Sequence, residues 1–381
     1  MKEIYLDNAA TTPVREEVMA AMNPYFSKKY GNPSSMHKLG LDASSAVSKS
    51  REEIAKVLNC SADEIIFTSG GTESVNLAIK GVAFARGKGH IITQKTEHYV
   101  VLKACEWLEK KGFKVTYLNV DKFGFVNPND VRKAIRNDTI LVTIMYANNE
   151  IGTIQSISDI GNICKEKGVL FHTDACQAAG YLDLNTKNLN VDLMTINGSK
   201  ICGPKGVGLL FVKKGVKLEP LLHGGGQEFG LRSGTENVPL IVGLAKALEL
   251  AQTEKNQETK KLISLRDKLI YDLLKIPGSR LNGHATKRLP NNINISFSGV
   301  EGESILLKLN ALGIFASTGS ACSTKDIKPS HVLLALGLTH KLAHGSIRFS
   351  LGRNTTEKDI SYVLKVLPEI ISELRGMSPI K

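Results

Sequence analysis

The chain has 381 residues, 42% of them hydrophobic, and no long polar tract, so it can bury full cores and length alone suggests two or three domains. A formal charge of +12 is spread along the sequence, with lysines often beside glutamates as in Glu109-Lys110-Lys111, and no basic block with interleaved aromatics argues for nucleic-acid binding. The six cysteines lie far apart without a Cys-x-x-Cys pair, so neither a disulfide framework nor a zinc site is indicated, and no apolar run is long enough to span a bilayer.

The first residues, Met1 to Asp7, lack a basic stretch followed by an apolar run, so a cytoplasmic protein is expected. Residues 1–12 read as an extended arm. Thr12-Pro13 then reads as a cap and first-turn proline for a helix carrying Val14, Val18 and Met22. Short β-branched runs follow at Glu64 to Thr68, Gly89 to Thr93, Lys114 to Asn119, Thr139 to Ala147, Val169 to Asp174, Val191 to Ile196 and Gly206 to Val212. Helical patterns lie between them, such as Ile157, Ile160, Ile163 and Cys164 closed by Gly168, so the fold class is α/β with a mostly parallel sheet covered by helices. A long helical stretch runs from Val238 toward Lys275, and its polar patch from Thr253 to Lys261 marks the junction with a smaller α+β domain. In that domain Asn291 to Ser298 and Ser346 to Leu351 read as strands, and Glu303 to Leu312 and Asp359 to Leu374 as helices. The expected division is 13–255 for the large domain, with 1–12 and 256–381 forming the small one.

Four places carry chemistry. Lys200 follows a strand in Asn197-Gly198-Ser199-Lys200, bordered by Gly203, where a lysine can form a Schiff base. Thr68-Ser69-Gly70-Gly71-Thr72-Glu73 joins a strand to a helix, and glycines at a helix amino terminus let backbone N–H groups approach a phosphate. Asp174 ends a strand, where ligands gather in α/β sheets, and a carboxylate there can keep a pyridinium nitrogen protonated. Cys322 lies among small residues in Ser317 to Thr324, a setting that suits a nucleophilic thiol. Taken singly each has an ordinary explanation: a solvated lysine, a plain turn, a helix cap and an inert loop cysteine. His37 reads as a surface residue, and Cys176 and Cys202 as small packing residues.

Together these residues resemble the cysteine desulfurases of the NifS/IscS type, which have the aspartate-aminotransferase-like fold (fold type I) of pyridoxal-phosphate enzymes. The ordered motifs span nearly the whole chain: Tyr5-Leu6-Asp7-Asn8-Ala9-Ala10-Thr11-Thr12, Tyr30-Gly31-Asn32-Pro33, Gly70-Gly71-Thr72-Glu73, Thr96-Glu97-His98, Asn148-Asn149-Glu150, Asp174-Ala175-Cys176-Gln177, Gly224-Gly225-Gly226-Gln227-Glu228, Arg232-Ser233-Gly234-Thr235, Gly319-Ser320-Ala321-Cys322 and Arg348-Phe349-Ser350. The resemblance implies pyridoxal 5'-phosphate held by Lys200, its phosphate bound by Gly71, Thr72, Asn197, Ser199 and, from a partner subunit, Thr235, and hence a homodimer. It implies further that Asp174 pairs with the pyridine nitrogen, that Gln177 and Asn149 contact the ring oxygen region, that His98 stacks on the ring and moves protons, and that Arg348 with Asn149 holds the substrate carboxylate. Cys322 would attack the sulfur of L-cysteine and carry it as a persulfide to an iron–sulfur scaffold or another acceptor protein. Ser199 stands where the family usually has histidine, Asn197 where serine is usual, and Phe229 where many members have arginine. An aminotransferase of the same fold would have no need of Cys322, and a cofactor-holding scaffold would form no persulfide there.

Overall fold

The computed structural model describes residues 3–318 and 329–377. Twelve strands occur among them: β1 (Ile4–Tyr5), β2 (Ile65–Thr68), β3 (His90–Gln94), β4 (Lys114–Leu118), β5 (Thr139–Thr143), β6 (Leu170–Asp174), β7 (Leu193–Asn197), β8 (Gly208–Val212), β9 (Ser279–Leu281), β10 (Asn292–Phe297), β11 (Ile314–Phe315) and β12 (Ser346–Ser350). Seven form one sheet in the order β2-β8-β7-β6-β5-β3-β4, in which only β8 runs against its neighbours. The carboxyl ends of β2, β3, β5, β6 and β7 therefore share one edge, and the residues that follow them converge there.

Both sheet faces are covered, as the near-continuous burial of the strands requires. The Gly71–Arg86 and Tyr99–Glu109 helices pack on one face through Leu77, Ile79, Val82, Val101 and Leu108. On the other face the Lys38–Leu58 helix meets the first half of a 36-residue helix, Val238–Leu273, and the Ile157–Lys167 helix contributes to the same core. That helix changes cores along its length. Val238, Ile241, Leu244 and Leu248 belong to the large core, whereas Leu262, Leu265, Leu269 and Leu273 join a second core under β10, β12 and the Glu357–Met377 helix. At 1.5 Å per residue it is a rod about 54 Å long that serves both. The amino-terminal arm belongs with the second core: β1 pairs in parallel with β11, and Ile4 and Leu6 are buried there.

One sequence reading is corrected. Thr12-Pro13 does not start a helix: the first helix is Glu16–Met22, with Arg15 before it and no side-chain cap. The Thr12 hydroxyl is engaged elsewhere, donating to the Ser199 carbonyl at 2.9 Å and accepting from the Cys202 N–H at 2.8 Å. No described helix is long and apolar enough to cross a membrane.

Candidate active site

The sheet's carboxyl edge assembles the site in layers. After β7 the chain makes a single 3-10 turn, Gly198–Lys200, with the Asn197 side chain accepting from the Ser199 N–H at 3.3 Å. Lys200 is thereby aimed at the amino-terminal arm, where its Nζ donates to the Ala9 carbonyl at 2.9 Å and to that of Ala10. Gln177 Nε2 donates to the same Ala9 oxygen at 2.9 Å, so Lys200 and Gln177 share one acceptor although they leave different strands. Thr12 closes this arm over the lysine turn through its N–H and hydroxyl, both on the Ser199 carbonyl.

Asp174, at the end of β6, is 8% exposed, and its Oδ1 accepts the Cys176 N–H at 2.9 Å. The helix-cap role open to it from sequence is thus realised as a short turn, with the carboxylate still at the sheet edge. His98 caps the Tyr99–Glu109 helix, its Nδ1 accepting from the Val100 N–H at 3.1 Å. Burial pushes its pKa down, opposed by the charge of Asp174 and aided by that of Lys200. A neutral ring with Nδ1 as acceptor carries its proton on Nε2.

Gly71 opens the Gly71–Arg86 helix facing this turn. A Cβ there would stand 3.0 Å from Cys176 Sγ and 3.5 Å from Asn197, so glycine leaves a gap between unpaired helix N–H groups and the Asn197 amide. Gly208 is equally constrained, since β2 and β7 flank it and a Cβ would lie 2.8 Å from Gly70. Thr72 is exposed beside the gap. Glu73 accepts from Arg232 Nε at 2.9 Å, which ties the segment leading to Thr235 onto this helix, and Thr235 itself is exposed.

Arg348, on β12, has a side chain 3% exposed. It donates to the Asn149 carbonyl at 3.1 Å and to Asp7 Oδ1 at 2.8 Å, and its Nε is buried without a partner. Asn149 is half-buried and enters the site through that carbonyl, which also accepts from Asn292. Cys322 lies outside the described residues. The chain approaches it from Ser317, bridged to Arg348.

Sequence reading passed over three contributors, Asp7, Thr12 and Glu97. Each stands inside a quoted motif, which was the available signal. Their partners, Arg348, Ser199 with Cys202, and Met145, are remote in sequence.

Residues 4–363 match the family model of class-V aminotransferases. The cysteine desulfurase IscS of Methanosarcina thermophila is 56% identical over 381 residues, all of this chain and 94% of its own length. That of Dictyoglomus turgidum is 55% identical over 384 residues, again all of this chain and 97% of its own. Among solved structures, a NifS-like protein superposes with a TM-score of 0.92 at 42% identity, covering 98% of this chain and all of that one. SspA in complex with cysteine superposes at 0.81 with 39% identity, covering 92% and 99%. With a lysine turn, a strand-end carboxylate, a capping histidine and a glycine gap at one sheet edge, the chain belongs to the class-V aminotransferase family, among its cysteine desulfurases.

Proposed function

We propose that this protein takes sulfur from L-cysteine, leaves L-alanine, and passes the sulfur from Cys322 to an acceptor protein, an iron–sulfur cluster scaffold or another sulfur-transfer partner. It uses pyridoxal 5'-phosphate and works as a cytoplasmic homodimer. The convergence of Lys200 and Gln177 on the Ala9 carbonyl, with His98 close enough to feel both Lys200 and Asp174, is the observation that carries this reading. The division into 13–255 and 1–12 with 256–381 is part of it, supported by the change of core along the Val238–Leu273 helix.

The residues present fit the cofactor. The Gly71 gap, which a Cβ would fill, suits a phosphate held by the helix N–H groups with Thr72, Asn197 and Ser199, and the exposed Thr235 suits the phosphate site of the partner subunit. Lys200 would carry the aldehyde carbon, Asp174 the ring nitrogen, Gln177 and Asn149 the ring oxygen region, and His98 the ring face. When bound, the cofactor supplies an electron sink that makes the substrate's α-proton removable.

The chain's own groups do the rest. Lys200 Nζ would take the substrate's α-proton. Arg348, held by Asp7 and the Asn149 carbonyl, orients the substrate carboxylate, with Asn149 beside it. His98 holds a proton on Nε2 for delivery to the reacting fragment. Cys322 Sγ, as thiolate, bonds to the substrate sulfur while the Cβ–S bond breaks; the bond pair stays on the three-carbon fragment, which leaves as alanine after protonation, and Cys322 keeps the persulfide.

The test is to give purified protein cysteine and a reductant and measure sulfide and alanine. Equal yields, lost in Cys322→Ala and in Lys200→Ala, are expected, with the yellow chromophore kept in the first variant and altered in the second. Alanine formed from sulfur-labelled cysteine without reductant while Cys322 carries no labelled sulfur, or a pyruvate-forming reaction, would overturn the reading.

A further inference from the structure

Glu97 is fully buried beside His98, and the reaction as derived gives it no role. Its Oε1 accepts two hydrogen bonds, from the Met145 N–H at 2.6 Å and from Gln94 Nε2 at 2.8 Å. Gln94 is the last residue of β3, and Met145 stands two residues past β5, its neighbour in the sheet. One oxygen thus joins two adjacent strand ends where the chain leaves them for His98 on one side and for Asn148 and Asn149 on the other. The joint is reinforced by Asn148 Nδ2 on the Thr96 carbonyl at 2.8 Å and by His331 Nε2, 2.9 Å from the Glu97 carbonyl.

We infer that Glu97 is a positioning residue of the active site, its carboxyl group locking the turn that carries His98 to the end of β5 and so fixing where the His98 ring and Asn149 stand relative to Asp174. The inference rests on the proposed role of His98. Its chemistry is that of a neutral acid: burial, with the charge of Asp174 adding to it, pushes the carboxyl up to about 8, and Oε2 has no partner.

A glutamine at 97 keeps the shape, the accepting oxygen and the neutrality. A methionine keeps the volume alone, and an aspartate keeps the carboxyl but draws it back by one methylene. The holoenzyme is compared as wild type, Glu97→Gln, Glu97→Met and Glu97→Asp, with kcat and KM for cysteine, the position of the chromophore band and Tm measured for each. Glu97→Gln is expected to match wild type. Glu97→Met and Glu97→Asp are expected to lower kcat by roughly 10²-fold, the cost of displacing a catalytic group by about 1 Å, with KM little changed and the chromophore band displaced. Should Glu97→Met fail to fold, Glu97→Asp carries the comparison. Full activity in either would show that the lock is not needed, and inactivity of Glu97→Gln would show that charge rather than position matters; both overturn the inference. A wild-type protein that makes no alanine from cysteine would instead sink the functional reading itself, while the chromophore shifts would still report on the lock.

Discussion

Replacing Glu228 tests how the segment leading to Thr235 is held. Glu228 is 6% exposed and accepts three hydrogen bonds: Oε2 from Arg51 at 2.9 Å and from the Phe67 N–H at 2.8 Å, and Oε1 from the other Arg51 terminal nitrogen at 2.8 Å. The Arg51 guanidinium, which also reaches the Ile65 carbonyl, lies between the rings of Phe67 and Phe229 at 4.7 and 4.9 Å. Glu228 and Phe229 adopt φ values of 49° and 58°, a left-handed pair without glycine that the surrounding contacts must hold in place. In Glu228→Gln either placement of the amide sets N–H against N–H, because both carboxylate oxygens are acceptors. Breaking a buried ion pair from one side costs about 3–5 kcal/mol. With an unfolding entropy of roughly 2.1 cal/mol/K per residue, 381 residues give about 0.8 kcal/mol per degree, so Tm should fall by about 4–6 °C. Differential scanning fluorimetry of the holoenzyme measures this, and cofactor retention on dialysis reports whether Thr235 has shifted. A fall below about 1 °C in Glu228→Gln would refute the reasoning, since packing of Arg51 between the two rings would then suffice without the charge.

Thr12→Val removes the hydroxyl that bridges Ser199 and Cys202, leaving the Cys202 N–H without its acceptor in a turn at φ 57°; a loss of about 1–3 kcal/mol and faster cofactor release are expected, read as Tm and as absorbance after dialysis. Unchanged retention would show that the arm does not brace the lysine turn. Burial raises Glu97 to about 8 and Glu150 to about 7 from an unfolded value of 4.5, so between those limits the folded chain binds more protons than the unfolded one and stability falls as pH rises. The buried His90 and His172, lowered to about 4, act oppositely and only on the acid side, where their contribution is lost as pH falls below the unfolded value of 6.5. Tm of Glu97→Gln relative to wild type should therefore climb from pH 5 to pH 8, and a constant difference would mean that Glu97 is already ionised at the lower pH.

The sheet was legible because its strands are short, β-branched and bounded by turn residues, and the observed ends fall close to the expected ones except in the run Thr139 to Ala147. There β5 stops at Thr143, and Ile144 to Ala147 continue as buried loop paired through the Met145 and Tyr146 N–H groups to Glu97 and Asp174. Apolar character alone does not separate such a loop from a strand. The 21-residue helix Lys38–Leu58 went unread because its buried face includes Gly40, Ser50 and Arg51 among Val47, Ile54 and Leu58. Arg51 is inside with Glu228, far along the chain, as its counter-charge, and with the Ile65 carbonyl and the Phe67 and Phe229 rings around it. Of the candidate site, Lys200, Asp174, His98, Gly71, Asn197 and Gln177 meet at one edge; what sequence could not convey was the amino-terminal arm, whose Ala9 carbonyl gathers Lys200 and Gln177.

That arm constrains how the protein is made. Asn8 and Ala9 bond to Ser350, while Ile4 and Leu6 bond to Gly313 and Phe315, so the arm waits for segments more than 300 residues further along before it docks. Until then Lys200 lacks the carbonyls that hold its amine, and a nascent chain with a finished central sheet still has an open lysine turn. Loop closure over more than 300 residues makes this docking a late step, so truncations near residue 350 would leave a folded large core without a completed site.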